Sequence, residues 1–215
     1  RGVVGPVDGA ALYLLMARGL GCSAAQALAP TLLLHRRDRL GERQALELLA
    51  TWAYRYTSRV CLEEDGGLLL ELRGSETLFG GIESLLTALR DDLRALGYEA
   101  VLGLGATPAA ARVRARVARR ERARSGRVFP LARIALEDSG LDQGAIAALA
   151  ASGIRTLGEL ARLPRAGLAR RFGQKVLDHL GRLRGEVPEA LTPWQPPDSH
   201  HAWLELPAPC ASHEA

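Results

Sequence analysis

The pattern between Val60 and Leu104 limits the folds open to this chain more than any other feature. An apolar run, "GGLLLELRG", follows the three acids Glu63, Glu64 and Asp65, and an Asp-Gly pair marks a turn from a preceding strand. Next comes "GGIESLLTALRDDLRALG", in which Leu85, Leu86, Leu89, Leu93 and Leu96 recur at helical spacing. Gly97 ends that helix, and "EAVLGLG" returns to a strand-like run. Strands that flank a helix with one apolar stripe imply a sheet layered on helices, an α+β arrangement. Residues 68–72 and 100–104 are expected as neighbouring strands.

Upstream, "RGVVGP" reads as a short strand, followed by a helix from about Ala10 and a break at Gly19 to Gly21. A helix of small residues then runs to Pro30, "TLLLHRRD" is strand-like, and "RLGERQALELLATWAYRYTSRV" is helical, with Leu46, Leu49, Ala50, Ala53 and Tyr54 on one face. After Pro108 the segment "AAARVRARVARRERARSGR" is helical, because alanine and arginine are good helix formers. From Glu137 onward short helices alternate with Gly and Pro. The composition shift divides the chain into 1–130, 131–188 and a Pro-rich stretch, 189–215.

Charge is concentrated in one place. Residues 112–127 hold eight arginines against Glu121, a net +7, whereas the whole chain of 215 residues is +4. Such a stripe exceeds what solubility needs and suits a polyanion, although an exposed Arg-rich helix is also simply solvated, and arginines at 112, 114 and 116 do not all face one partner. No apolar run approaches the ~20 residues of a bilayer span. Three widely spaced cysteines, Cys22, Cys61 and Cys210, suggest neither a disulfide framework nor a zinc ribbon and favour a reducing cytoplasm. His35, and His200 with His201, lack the spacing of a metal-ligand set.

"AIAALAASGIRTLGELARLP" is a helix, a turn at Gly153 and a second helix capped by Thr156. This is the pattern of a helix-hairpin-helix, whose turn presents backbone N–H groups that hold a DNA phosphate without reading sequence. A plain helical hairpin that binds nothing has the same spacing. "LARRFGQKVLDHLGRLRGE" adds Arg170, Arg171 and Lys175 beside a second glycine.

Taken in order, these stretches resemble the Y-family translesion DNA polymerases. "GLGCSAAQALAP" is similar to the end of their fingers, "RYTSRVCLEEDGGLLLELRGSETLFGG" to the palm around its Ser-x-Asp-Glu motif, and "GIRTLGELARLPRAGLARRFG" to their thumb. "RGSETLFGG" and "GLGATPAAA" are most similar to the ImuB-type branch, polymerase-like proteins of bacterial mutagenesis cassettes. The resemblance implies a polymerase-like palm sheet with fingers helices in 1–130, an all-α helix-hairpin-helix thumb in 131–188, and in 189–215 a linker to a little finger. Both ends read as cut from a longer chain.

The resemblance also sets expectations for chemistry. An active polymerase holds two magnesium ions ~3.5–4 Å apart on carboxylates from different strands. The family's Asp-Glu pair falls on Glu63 and Glu64, the candidates if the protein is active, yet the inserted Asp-Gly-Gly suits a solvated hairpin tip. Its triphosphate-gripping Tyr and Arg fall on Gly9 and Leu12, and its Asn-Lys on Thr107-Pro108. Joint loss of these contacts argues against efficient nucleotide addition. No catalytic residue, resident metal or cofactor is therefore expected, with Mg2+ required only if the protein is active.

DNA contact is expected from Gly153, Ile154, Arg155, Thr156, Arg170, Arg171 and Lys175, and from Arg112, Arg116 and Arg119. By resemblance the protein is a cytoplasmic, nucleoid-associated scaffold of SOS mutagenesis and translesion repair. Its partners would be a sliding clamp, a RecA-like accessory protein and an error-prone replicative-type polymerase, met through regions outside this sequence. An active divergent Y-family DNA-directed DNA polymerase and a helix-hairpin-helix DNA-binding module without polymerase ancestry are the alternatives.

Overall fold

The computed structural model describes residues 2–4, 22–28, 30, 34–36, 38–63, 66–121 and 129–196. The helix expected from Ala10 lies outside them. The chain divides into two compact units, one comprising 1–52, 62–68 and 195–215 and the other 53–61 and 69–194.

In the first unit β1 (Gly2–Val4) pairs antiparallel with β2 (Leu34–Arg36), Val3 opposite His35. The small-residue helix is α1 (Cys22–Leu28). Helix α2 (Arg39–Ala53) starts at Asp38, whose carboxylate accepts from the N–H groups of Leu40 and Gly41 at 3.1 and 3.0 Å, satisfying donors that the first turn leaves orphaned. Ala50 and Ala53 of the expected apolar face are buried.

Strands β3 (Val60–Leu62) and β4 (Leu68–Leu70) form a hairpin. Glu71 N–H donates to Arg59 C=O at one end and Glu63 N–H to Gly67 C=O at the other, which sets Cys61 opposite Leu69. The apolar run expected as a five-residue core strand is three residues long and half-buried.

Helix α3 (Ile82–Ala95) buries Leu85, Leu86, Leu89 and Leu93, as their spacing predicts, while Leu96 is exposed just past its end. Tyr56 ties this helix to the chain after α2: its hydroxyl donates to Asp92 at 2.7 Å and its ring stacks on Phe79 at 5.3 Å.

The second expected strand is corrected. Residues 100–104 are not a strand and do not pair with 68–72. Their backbone lies on helix α4 (Pro108–Arg120) instead: a Cβ at Gly103 would come 2.3 Å from the Ala111 carbonyl oxygen, and one at Gly105 would come 2.4 Å from the Ala111 nitrogen. The two glycines that read as part of a strand are there for close backbone approach.

Thr107 caps α4 by accepting from Ala110 N–H at 3.1 Å, and Pro108 occupies the first turn, where a missing N–H costs nothing. The buried face of α4, including Ala109, Val113 and Val117, joins one hydrophobic cluster with Ile134, Leu136 and the helices that follow. Those are α5 (Gln143–Ala151), α6 (Leu157–Arg162), α7 (Arg165–Phe172) and α8 (Gln174–Arg184), which contribute among others Leu149, Leu160, Leu168, Val176 and Leu180. Removing a leucine of this size from water is worth ~1.5–3 kcal/mol.

Candidate nucleic-acid interface

Two glycine turns carry the expected DNA-contact residues. At the first, Gly153 adopts φ +81°, and Ile154 N–H reaches back to Leu149 C=O, closing α5. Ile154 is buried and belongs to the core, whereas Gly153 and Arg155 are exposed.

Thr156 and Glu159 then form a reciprocal capping box at the start of α6. Glu159 accepts from Arg155 N–H at 2.7 Å and Thr156 N–H at 3.2 Å. These two donors hold its carboxyl below the usual carboxylate range. Leu157 N–H donates to Ile134 C=O. The backbone donors of 155, 156 and 157 are therefore engaged within the chain, and a phosphate arriving at this turn meets Glu159 first.

The second turn joins α7 to α8 through Gly173, at φ +91°. No side chain caps α8 there. Arg170, Arg171 and Lys175 are brought together around this turn and all are exposed. Arg171 also lies over the Phe172 ring, 5.5 Å from its centroid. Arg165 is exposed but paired with Glu186 at 2.8 Å.

The arginines of α4 are placed differently. Arg112 contacts Glu189 at 2.5 Å, and Arg114 donates to the carbonyls of Leu104 and Phe129 at 2.8 and 2.9 Å. Arg116 packs its guanidinium against Gly140, where a Cβ would come within 2.3 Å of it. Arg120 reaches Asp138 at 2.6 Å, and Arg119 is exposed. Arg122, Arg124 and Arg127 lie outside the described residues.

Of the candidate metal-site acids, Glu63 sits at the β3–β4 turn, with its backbone bonded to Gly66 and Gly67, while Glu64 lies outside the described residues. Among the described residues no group of three His, Cys, Asp or Glu gathers as a metal site requires. Gly9, Leu12, His200 and His201 also lie outside them. Cys61 is buried.

Four residues with structural roles here were not singled out from the sequence. Glu159 was readable, because it stands three residues after Thr156. Asp138, Glu189 and Tyr54 carry no local signal for the partners they take. Trp194, read as part of a tether, is docked: its N–H donates to Val60 C=O at 2.8 Å, and its own C=O accepts from Tyr54 Oη at 2.6 Å.

The chain is 32% identical over 181 residues to Protein ImuB of Caulobacter vibrioides, in strain NA1000 / CB15N and equally in strain ATCC 19089 / CIP 103742 / CB 15. The alignment covers 81% of this chain, which spans 38% of the length of those relatives. Among solved structures, the insertion ternary complex of Dbh DNA polymerase matches with a TM-score of 0.66 at 15% identity, covering 85% of this chain and 56% of that one. A DinB family error-prone DNA polymerase from Sulfolobus solfataricus matches with a TM-score of 0.65 at 15% identity, covering 88% and 60%. No family model matches the chain. Among the described residues no helix is long and apolar enough to cross a membrane.

Proposed function

We propose, from the premise that this chain has the fold of the Y-family DNA polymerases and a sequence like that of ImuB, that it binds DNA as a non-catalytic, polymerase-like scaffold for error-prone translesion synthesis. The observation that carries this reading is the start of α4. Where the family has Asn-Lys, Thr107 is a helix cap and Pro108 a first-turn residue. Both positions serve the helix, and neither offers a cation to a triphosphate. Electrostatic neutralisation dominates phosphoryl transfer, so a site without that cation is a poor nucleotidyl-transfer site.

Binding in this reading is to the DNA backbone, through the exposed Arg170, Arg171 and Lys175 turn. The clamp, the RecA-like partner and the synthesising polymerase are contacted through regions outside this sequence, at the nucleoid. A fold likeness over 85% of the chain extends beyond the C-terminal helices, which disfavours an isolated helix-hairpin-helix module.

Primer extension by the full-length parent protein, with magnesium and then manganese, tests the reading against an active polymerase. Salt-sensitive binding to primer-template DNA without incorporation is the expected result. Incorporation abolished by Glu63→Ala or Glu64→Ala would make those acids metal ligands and overturn it.

A further inference from the structure

The segment 187–194, which follows α8, is held at both ends. At its start, Val187 N–H reaches Gly181 C=O at 3.3 Å, and a Cβ on Gly181 would sit 2.6 Å from Val187 Cγ2. At its end, Trp194 is bonded to Val60 and Tyr54, with the Tyr54 and Trp194 rings 6.1 Å apart. Pro188 and Pro193 stiffen the span between. Glu189 is thus delivered by a pinned strap to Arg112, a residue 77 positions earlier in the chain.

The resulting pair is incomplete. Each side chain keeps 23% exposure, and Glu189 Oε1 takes the guanidinium, but Oε2 is buried without a hydrogen-bond partner. A half-satisfied carboxylate bears a desolvation cost that its one contact offsets only in part. A phosphate group offers the guanidinium several oxygens in the bidentate geometry it prefers.

We propose that Glu189 is an internal carboxylate competitor for DNA phosphate at Arg112, held in place by the docked strap 187–194. The inference rests on the DNA-binding reading above and concerns its regulation. Arg112 is withdrawn from the interface until the strap yields, so the charge that the α4 arginines present to DNA is smaller than their number suggests.

The test is duplex binding by the full-length protein across a salt series, with thermal unfolding alongside. Glu189→Gln is expected to tighten binding about three- to tenfold at low salt and to steepen the log–log salt slope by about 0.9, one phosphate contact. Arg112→Ala should leave the wild-type slope unchanged and remove the whole gain in the Glu189→Gln background, a coupling that a double-mutant cycle isolates. Tyr54→Phe, which loosens the strap without touching the pair, should give a smaller change in the same direction.

Lower stability with no gain in affinity for Glu189→Gln, and no gain for Tyr54→Phe, would make the strap a structural staple and overturn the competitor role. Binding by the wild type with no gain in either variant sinks the competitor alone. Absence of DNA binding in the wild type and in both variants sinks the DNA-binding reading with it.

Discussion

Helix α4 and the α7–α8 turn are both rich in arginine, and the chain uses it in opposite ways. On α4, Arg112 and Arg120 are committed to carboxylates and Arg114 to two backbone carbonyls. Around Gly173, Arg170, Arg171 and Lys175 stand exposed. The difference teaches that a count of positive residues along a segment overstates the field it offers to a polyanion. A guanidinium that bridges two elements has its donors directed inward, and its charge is offset by whatever it holds. The less charged segment is the better candidate for phosphate.

The largest effect that would break this comparison is on DNA affinity. Replacing Arg170, Arg171 and Lys175 together by alanine is expected to flatten the salt dependence of duplex binding by about 2.7, at 0.9 per phosphate. Thermal stability should change by less than about 1 kcal/mol, since only the exposed Arg171–Phe172 contact is lost within the fold. An unchanged slope would move the interface elsewhere. Next in size is Arg114→Ala, the opposite case. Losing two charged hydrogen bonds to partly buried carbonyls should cost about 2–4 kcal/mol in urea unfolding while leaving the salt slope of binding unaltered. A loss of slope without loss of stability would show Arg114 facing DNA after all.

The contrast also explains what was legible in the sequence. Leucine spacing marked the buried face of α3, and Thr156 with Glu159 marked the start of α6, because both signals lie within one or two turns of helix. Thr107-Pro108 was equally local, as a cap followed by a first-turn proline. The inward commitment of the α4 arginines was not legible, because their partners Leu104, Phe129, Asp138 and Glu189 lie outside the helix and share no period with it. Trp194 shows the same limit: proline-rich composition reads as a tether, and its bond to Tyr54 spans 140 positions. Residues 100–104 misled for another reason. Apolar residues alternating with glycine fit a strand, but here the glycines let the backbone rest on α4.

A smaller effect sharpens the comparison at the first turn. Thr156→Ala removes one arm of the capping box and is expected to lower stability by about 1 kcal/mol, measured by denaturant midpoint. Glu159 then loses its reciprocal partner, so its hold on the Arg155 and Thr156 N–H groups weakens. If that turn were already an open phosphate site, Thr156→Ala would weaken DNA binding. With Glu159 filling it, binding should be unchanged.

The smallest expected effect concerns His179, where α8 meets the segment before α5. Its Nε2–H donates to Ser139 C=O at 2.9 Å, which assigns a neutral ring with the proton on Nε2. Burial holds its pKa below the ordinary histidine value; Arg182 and Arg116 push it further down, against the Ser139 carbonyl and Glu189. The unfolded chain, at about 6.5, binds the proton more readily than the folded one. Stability from this residue is therefore present above that pH and is lost as pH falls through the lower folded value. His179→Gln keeps an N–H donor but does not titrate. Urea midpoints from pH 7.5 down to 5 should fall more steeply for the wild type than for His179→Gln. Parallel curves would mean that the Arg116 and Arg182 charges are screened from the ring, placing those two guanidinium groups with the solvent-facing arginines of the α7–α8 turn rather than with the inward-facing ones of α4.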